Sequence, residues 1–147
     1  MKLTIARASE TCIFRIQGKV GWESSRLLDR EVRQSVEQGG RFLVFDLDGI
    51  EFLSSGAIGV LVYHLRRLQS GKGDIFIVTA NNYVMYLFRT IGFHKVFEGK
   101  IFRGMAELQP VLAAQSPGWA PPVPDAWREV DAGDGADDEI SHKDELG

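Results

Sequence analysis

Three small residues in mid-chain, Ser54, Ser55 and Gly56, follow an apolar stretch that ends at Leu53 and precede a dense apolar run that starts at Ala57. That order puts two hydroxyls where a strand exits and a helix begins. The first turn of a helix has free N–H groups and a partial positive charge. A serine there has two jobs open to it. It can cap the helix by accepting one of those N–H groups. It can also accept a phosphate, whose charge the same groups stabilise, so that modification alters an exposed surface without unfolding the helix. Gly56 has no side chain to block an approaching partner. Capping is the simpler job, because every helix needs a start.

Enzyme chemistry finds little support elsewhere. The sequence contains no GxxxxGK[ST] phosphate loop, no GxGxxG after a strand, no HExxH and no GxSxG. His64, His94 and His142 are scattered, without metal-ligand spacing, and His64 is expected to face outward from its helix. The single cysteine, Cys12, alternates inward with Phe14 and reads as a packed small residue. Alone it forms neither an intramolecular disulfide nor a cysteine-based zinc site. The expectation is a protein that is not an enzyme, with no catalytic residue, no metal site and no cofactor.

The elements that position the serines follow from periodicity. Residues 2–7 and 11–17 are short strands joined by a Ser9-Glu10 turn, which suggests a hairpin. After Gly18 to Trp22, Ser24 or Ser25 caps a helix whose stripe is Leu28, Val32 and Val36 and which stops at Gly39-Gly40. Residues 42–47 are apolar on both faces, the pattern of a central parallel strand, and Asp48-Gly49 signals a turn. The helix from Ala57 carries Ile58, Leu61, Leu65 and Leu68. Ile75 to Val78 is another strand. Asn81 or Asn82 caps a third helix with Val84, Leu87, Phe88 and Ile91, and Tyr83 and Tyr86 lie beside that stripe as rim residues. Lys95 to Phe97 is expected as a short strand and Phe102 to Leu112 as a last helix, with Pro110 disturbing its final turn. This order predicts an α/β fold: a mixed, mainly parallel sheet of four to five strands with about four helices.

Charge divides the chain. It has 147 residues, 44% hydrophobic and 25% charged, which excludes a wholly disordered protein. Residues 116–147 hold nine acids and two bases, a net −7, and four of the five prolines; residues 1–115 hold 11 acids and 15 bases, a net +4. The expected division is a folded domain over 1–115 and a disordered acidic tail over 116–147. A mild +4 does not fit a nucleic-acid binder, and Arg66, Arg67 and Lys72 complement a helix dipole at the end of the second helix. No apolar run approaches a membrane span, and MKLTIARASE lacks the apolar core and cleavage site of a secretory signal. A cytoplasmic location is expected.

Residues 2–112 resemble the STAS domain of bacterial anti-sigma factor antagonists. Three blocks in the right order carry the resemblance: Gly18-Lys19-Val20-Gly21, the stretch from Val44 through Phe52-Leu53-Ser54-Ser55-Gly56-Ala57 to Val60, and Ile91-Gly92-Phe93-His94-Lys95-Val96-Phe97. In the family the phosphoacceptor serine follows an aspartate. Aligned without gaps, that aspartate falls on Ser54 and the acceptor on Ser55, with Ser54 the less favoured acceptor. The family often carries another aspartate where this chain has Gly21. The resemblance implies partner switching: a histidine-kinase-like serine kinase, doubling as an anti-sigma factor, binds the domain and releases it on phosphorylation of Ser55. A metal-dependent serine phosphatase restores it, and the process served is regulation of transcription. The implied contact surface comprises Gly21, Trp22, Ser24, Ser54, Ser55, Gly56, Ala57 and Tyr63. The alternative it leaves open is a non-phosphorylated scaffold or subunit, for example of a lipid-transport ATPase complex, in which Ser55 is only a helix cap.

Overall fold

Residues 1–131 are described by the computed structural model. The sequence folds as an α/β sheet whose strands are β1 (Lys2–Ala8), β2 (Thr11–Val20), β3 (Phe42–Leu53), β4 (Asp74–Val78), β5 (Ile101–Phe102) and β6 (Trp127–Val130). Their order across the sheet is β5-β4-β3-β2-β1-β6. The pairs β2–β3, β3–β4 and β4–β5 are parallel, whereas β1 is antiparallel to both β2 and β6. It follows that β6 runs in the same direction as β2 to β5. The helices are α1 (Trp22–Glu37), α2 (Ser55–Ser70), α3 (Asn82–Thr90), the single-turn α4 (Phe93–Val96) and α5 (Met105–Gln115).

β3 explains the layering. Its side chains alternate, so Leu43, Phe45 and Leu47 enter one core while Phe42 and Val44 enter another. The larger core takes Leu28 and Val32 of α1, Leu61, Leu65 and Leu68 of α2, and Val84 and Phe88 of α3. The smaller core joins Ile13, Phe76 and Val78 to Leu108 and Leu112 of α5, with Trp119 and Trp127 packed at its margin. A strand covered on both faces has no polar alternation, which is why residues 42–47 read as continuously apolar.

Several expectations need correction. The sheet has six strands, not four to five, and the folded chain does not stop at residue 115. Within the segment expected to be disordered, Trp127 pairs with Ala6 and Val130 with Leu3. The period-two rule sends Trp127 to the smaller core and Val130 to the larger one. Arg128 meets the buried carboxylate of Glu31 at 3.2 Å. The four prolines of this segment all precede β6, where no ladder N–H is needed. The rest of the expected tail, residues 132–147 with His142, lies outside the described residues.

Lys95 and Val96 lie in α4 rather than in a strand, and Phe97 caps it. One helical turn puts Phe93 and Phe97 on the same side, with ring centroids 6.1 Å apart, against Phe88. Phe102 ends β5 instead of opening the last helix. Asp48-Gly49 is not a turn. β3 continues to Leu53, with register shifts between Arg15 and Gln17 and between Gly18 and Lys19. A Cβ on Gly49 would lie 2.7 Å from Cγ of Gln17, so the close approach there requires glycine. α1 begins at Trp22 with Gly21 as its N-cap, three or four residues before the expected Ser24 or Ser25. Ser25 instead donates its hydroxyl to the Trp22 carbonyl at 2.7 Å inside the first turn.

Candidate functional site

The site is built where β2 and β3 end side by side, with Val20 opposite Leu53. The Ser54 N–H donates to the Val20 carbonyl at 2.9 Å, and the Ser54 hydroxyl donates to the Gly21 carbonyl at 3.4 Å. Ser54 is the N-cap of α2: its Oγ accepts the Ala57 N–H at 3.2 Å and its carbonyl accepts the Ile58 N–H at 3.1 Å. The two serines therefore have different positions. Ser54 is half-buried and occupied as the cap. Ser55 is the first helical residue, exposed, and its hydroxyl makes no hydrogen bond within the described residues.

The remaining expected contact residues divide between surface and support. Trp22 is 61% exposed and Tyr63 is 49% exposed, so both present rings to solvent. Gly56 is exposed beside α1, where a Cβ would lie 3.1 Å from Ser25 Oγ. Gly21, Ser24 and Ala57 are buried and offer little to a partner. They form the joint under the surface: Gly21 accepts from Ser25 and Ser54, and Ala57 donates to the cap. Sequence reasoning missed Phe52, which is 40% exposed just ahead of the serines. It also missed the support from α3. The Tyr83 hydroxyl accepts the Leu53 N–H at 3.2 Å, and Asn81 Nδ2 donates to the carbonyls of Asp48 and Ile50 at 3.0 and 2.8 Å. Partners about 30 residues apart leave no local sequence signal. Tyr86, expected at a rim, is largely exposed.

A groove of about 620 Å³ runs between α1 and α2, lined by Glu23, Arg26, Asp29 and Arg30 on one side and Val60 on the other. Asp29, which lines it, also joins a polar cluster. His64, expected to face outward, is fully buried, and its Nε2 lies 2.7 Å from Asp29 Oδ1. Arg33 donates to the other Asp29 oxygen at 2.8 Å, and its guanidinium lies 5.1 Å from the centre of the Tyr63 ring. Burial pulls the His64 pKa below its ordinary value, with Asp29 opposing. Burial pushes the Asp29 carboxyl up, but hydrogen bonds from Arg33 and His64 outweigh it and hold the carboxyl below the usual range. Cys12 is buried, and desolvation raises its thiol pKa, so it remains a neutral packed residue. Among the described residues no group of three or more His, Cys, Asp or Glu side chains could hold a metal ion. No helix among them is long and apolar enough to cross a membrane.

An antiparallel hairpin leads into parallel strands, and a serine pair stands at the start of the helix after the central strand. Residues 2–108 match the STAS domain family, and the chain belongs to it. It resembles BtrV of Bordetella bronchiseptica, named as an anti-sigma factor antagonist, at 27% identity over 97 residues, covering 66% of this chain and 84% of that protein. Solved structures share the fold, two of which follow. An anti-sigma factor antagonist from Mycobacterium paratuberculosis superposes with a TM-score of 0.65 at 16% identity, covering 76% of this chain and 92% of its own. The Bacillus cell fate determinant SpoIIAA in its phosphorylated form gives 0.61 at 13% identity, covering 74% and 98%. The chain is thus a STAS-domain protein that resembles anti-sigma factor antagonists.

Proposed function

We propose that this protein is a partner-switching module whose state is set by phosphorylation of Ser55. The observation that carries the proposal is the division of labour between the two serines. Ser54 caps α2, which leaves Ser55 exposed at the positive end of the helix, its hydroxyl free of hydrogen bonds within the described residues. The unmodified face, with Trp22, Ser55, Gly56 and Tyr63, binds a histidine-kinase-like serine kinase that doubles as an anti-sigma factor. Transfer of a phosphoryl group to Ser55 adds close to two negative charges at a packed interface. There they are desolvated without compensation, and the partner leaves. A metal-dependent serine phosphatase reverses the step. ATP and metal belong to those partners.

Intact mass and phosphosite mapping of the protein from its native cells test this directly. One phosphate on Ser55, absent from a Ser55→Ala variant, is the expected result. No phosphate under any growth or stress condition would overturn it. The second reading, a non-phosphorylated STAS scaffold or transport-complex subunit, is favoured by one feature: Ser54 stands where the family carries the acidic neighbour of its acceptor. It predicts an unmodified Ser55 and a constitutive partner.

A further inference from the structure

We propose that the cleft between α3 and the β5–α5 connection binds a small organic anion, one phosphate or carboxylate group carried on a flat apolar body. The cleft measures about 530 Å³ and opens beyond the carboxyl ends of β4 and β5, the rim where open parallel sheets form crevices. Two cations from different elements line it, Arg89 of α3 and Arg103 after β5, and no acidic residue does. Within the described residues neither guanidinium has an ion-pair partner, whereas those of Arg15, Arg33, Arg41 and Arg128 each meet a carboxylate. The nearby acid Glu107 is engaged by the Arg103 backbone N–H at 3.3 Å and lies outside the lining. Guanidinium groups recognise phosphate and carboxylate through paired N–H donors.

The rest of the wall specifies the body of the ligand. Tyr86 is 71% exposed, an uncovered ring beside Phe102. An apolar body laid against these rings removes exposed apolar surface from water. Thr79 is buried at the rim; its hydroxyl oxygen accepts the Asn81 N–H at 3.0 Å and keeps its own proton to donate. An inorganic ion would engage the arginines and leave the aromatic wall uncovered. This cleft shares no lining residue with the α1–α2 groove and does not depend on the role of Ser55.

The test is an NMR titration of the full 147-residue protein with phenyl phosphate, phenylacetate and inorganic phosphate. Saturable amide shifts at Thr79, Asn82, Tyr86, Arg89 and Arg103 are expected. Tighter binding of phenyl phosphate assigns a phosphate headgroup, and tighter binding of phenylacetate assigns a carboxylate. Arg89→Ala and Arg103→Ala should each weaken the preferred probe about tenfold, and Tyr86→Ala should weaken the aromatic probes but not inorganic phosphate. Unchanged dispersion of the remaining amides verifies that each variant is folded. Three results overturn the proposal: no saturable shift with either aromatic probe, inorganic phosphate binding as tightly as they do, or binding that survives an Arg89→Ala, Arg103→Ala double variant.

Discussion

At the scale of single residues, Ser54 and Ser55 are chemically identical and structurally opposite. Ser54→Ala removes the hydroxyl that accepts the Ala57 N–H, and the loss of an N-cap costs about 1 kcal/mol. Ser55→Ala touches no described hydrogen bond, so its effect should stay within about 0.5 kcal/mol. Urea unfolding of the two variants separates them: a lowered midpoint for Ser54→Ala only. Equal losses would contradict the assignment of the cap. His64 gives a second prediction. Its folded-state pKa lies below the unfolded value, so the unfolded chain binds the proton more readily. The stability held by neutral His64 is therefore complete above the unfolded pKa of about 6.5 and is lost as pH falls through the lowered folded value. Asp29, also lowered, adds a loss in the same direction at more acidic pH. Unfolding free energy measured from neutral to mildly acidic pH should fall in wild type and flatten in His64→Gln.

At the scale of elements, β6 is the informative case. It closes the edge of β1 and brings Trp127 against the smaller core, with the Arg15 guanidinium 4.3 Å from the centre of the indole ring. A chain ended at residue 115 loses that cover, two tryptophans and the Arg128 partner of Glu31. We expect a loss of several kcal/mol in urea unfolding and self-association through the bared β1 edge, visible by analytical ultracentrifugation. An undiminished, monomeric truncation would mean that the segment contributes nothing. The sequence made β1 to β4 and α1 to α3 legible because each repeats its apolar residues at the period of its own geometry. It concealed β6, because four residues with one tryptophan and one valine, placed after four prolines, resemble a linker until β1 supplies the partner strand. It also suggested a strand for Lys95–Phe97, since the i, i+4 spacing of Phe93 and Phe97 has meaning only beside Phe88. Within the candidate site, the place of Ser55 at the start of α2 is legible from the small residues between two apolar runs. The burial of Gly21, Ser24 and Ala57 is not, because it depends on β2 and β3 ending together.

At the scale of the whole molecule, the residues proposed for recognition lie outside the closed cores. Trp22 and Tyr63 show their rings to solvent, while the cores beneath them are closed. Trp22→Ala should therefore leave the unfolding midpoint unchanged and weaken binding of the proposed kinase partner about tenfold or more, as exposed aromatic anchors do. Calorimetric titration against that partner measures the second effect. A fall in stability with intact affinity would assign Trp22 to the fold instead.

The direction of β6 has a consequence for geography. Because it runs with β2 to β5, the chain leaves Val130 heading toward the end of the sheet where Ser54 and Ser55 lie. Residues 132–147 hold six acids and one base, a net −5. Without them the net charge of −3 becomes +2, so these residues alone set the sign of the field that a charged partner meets.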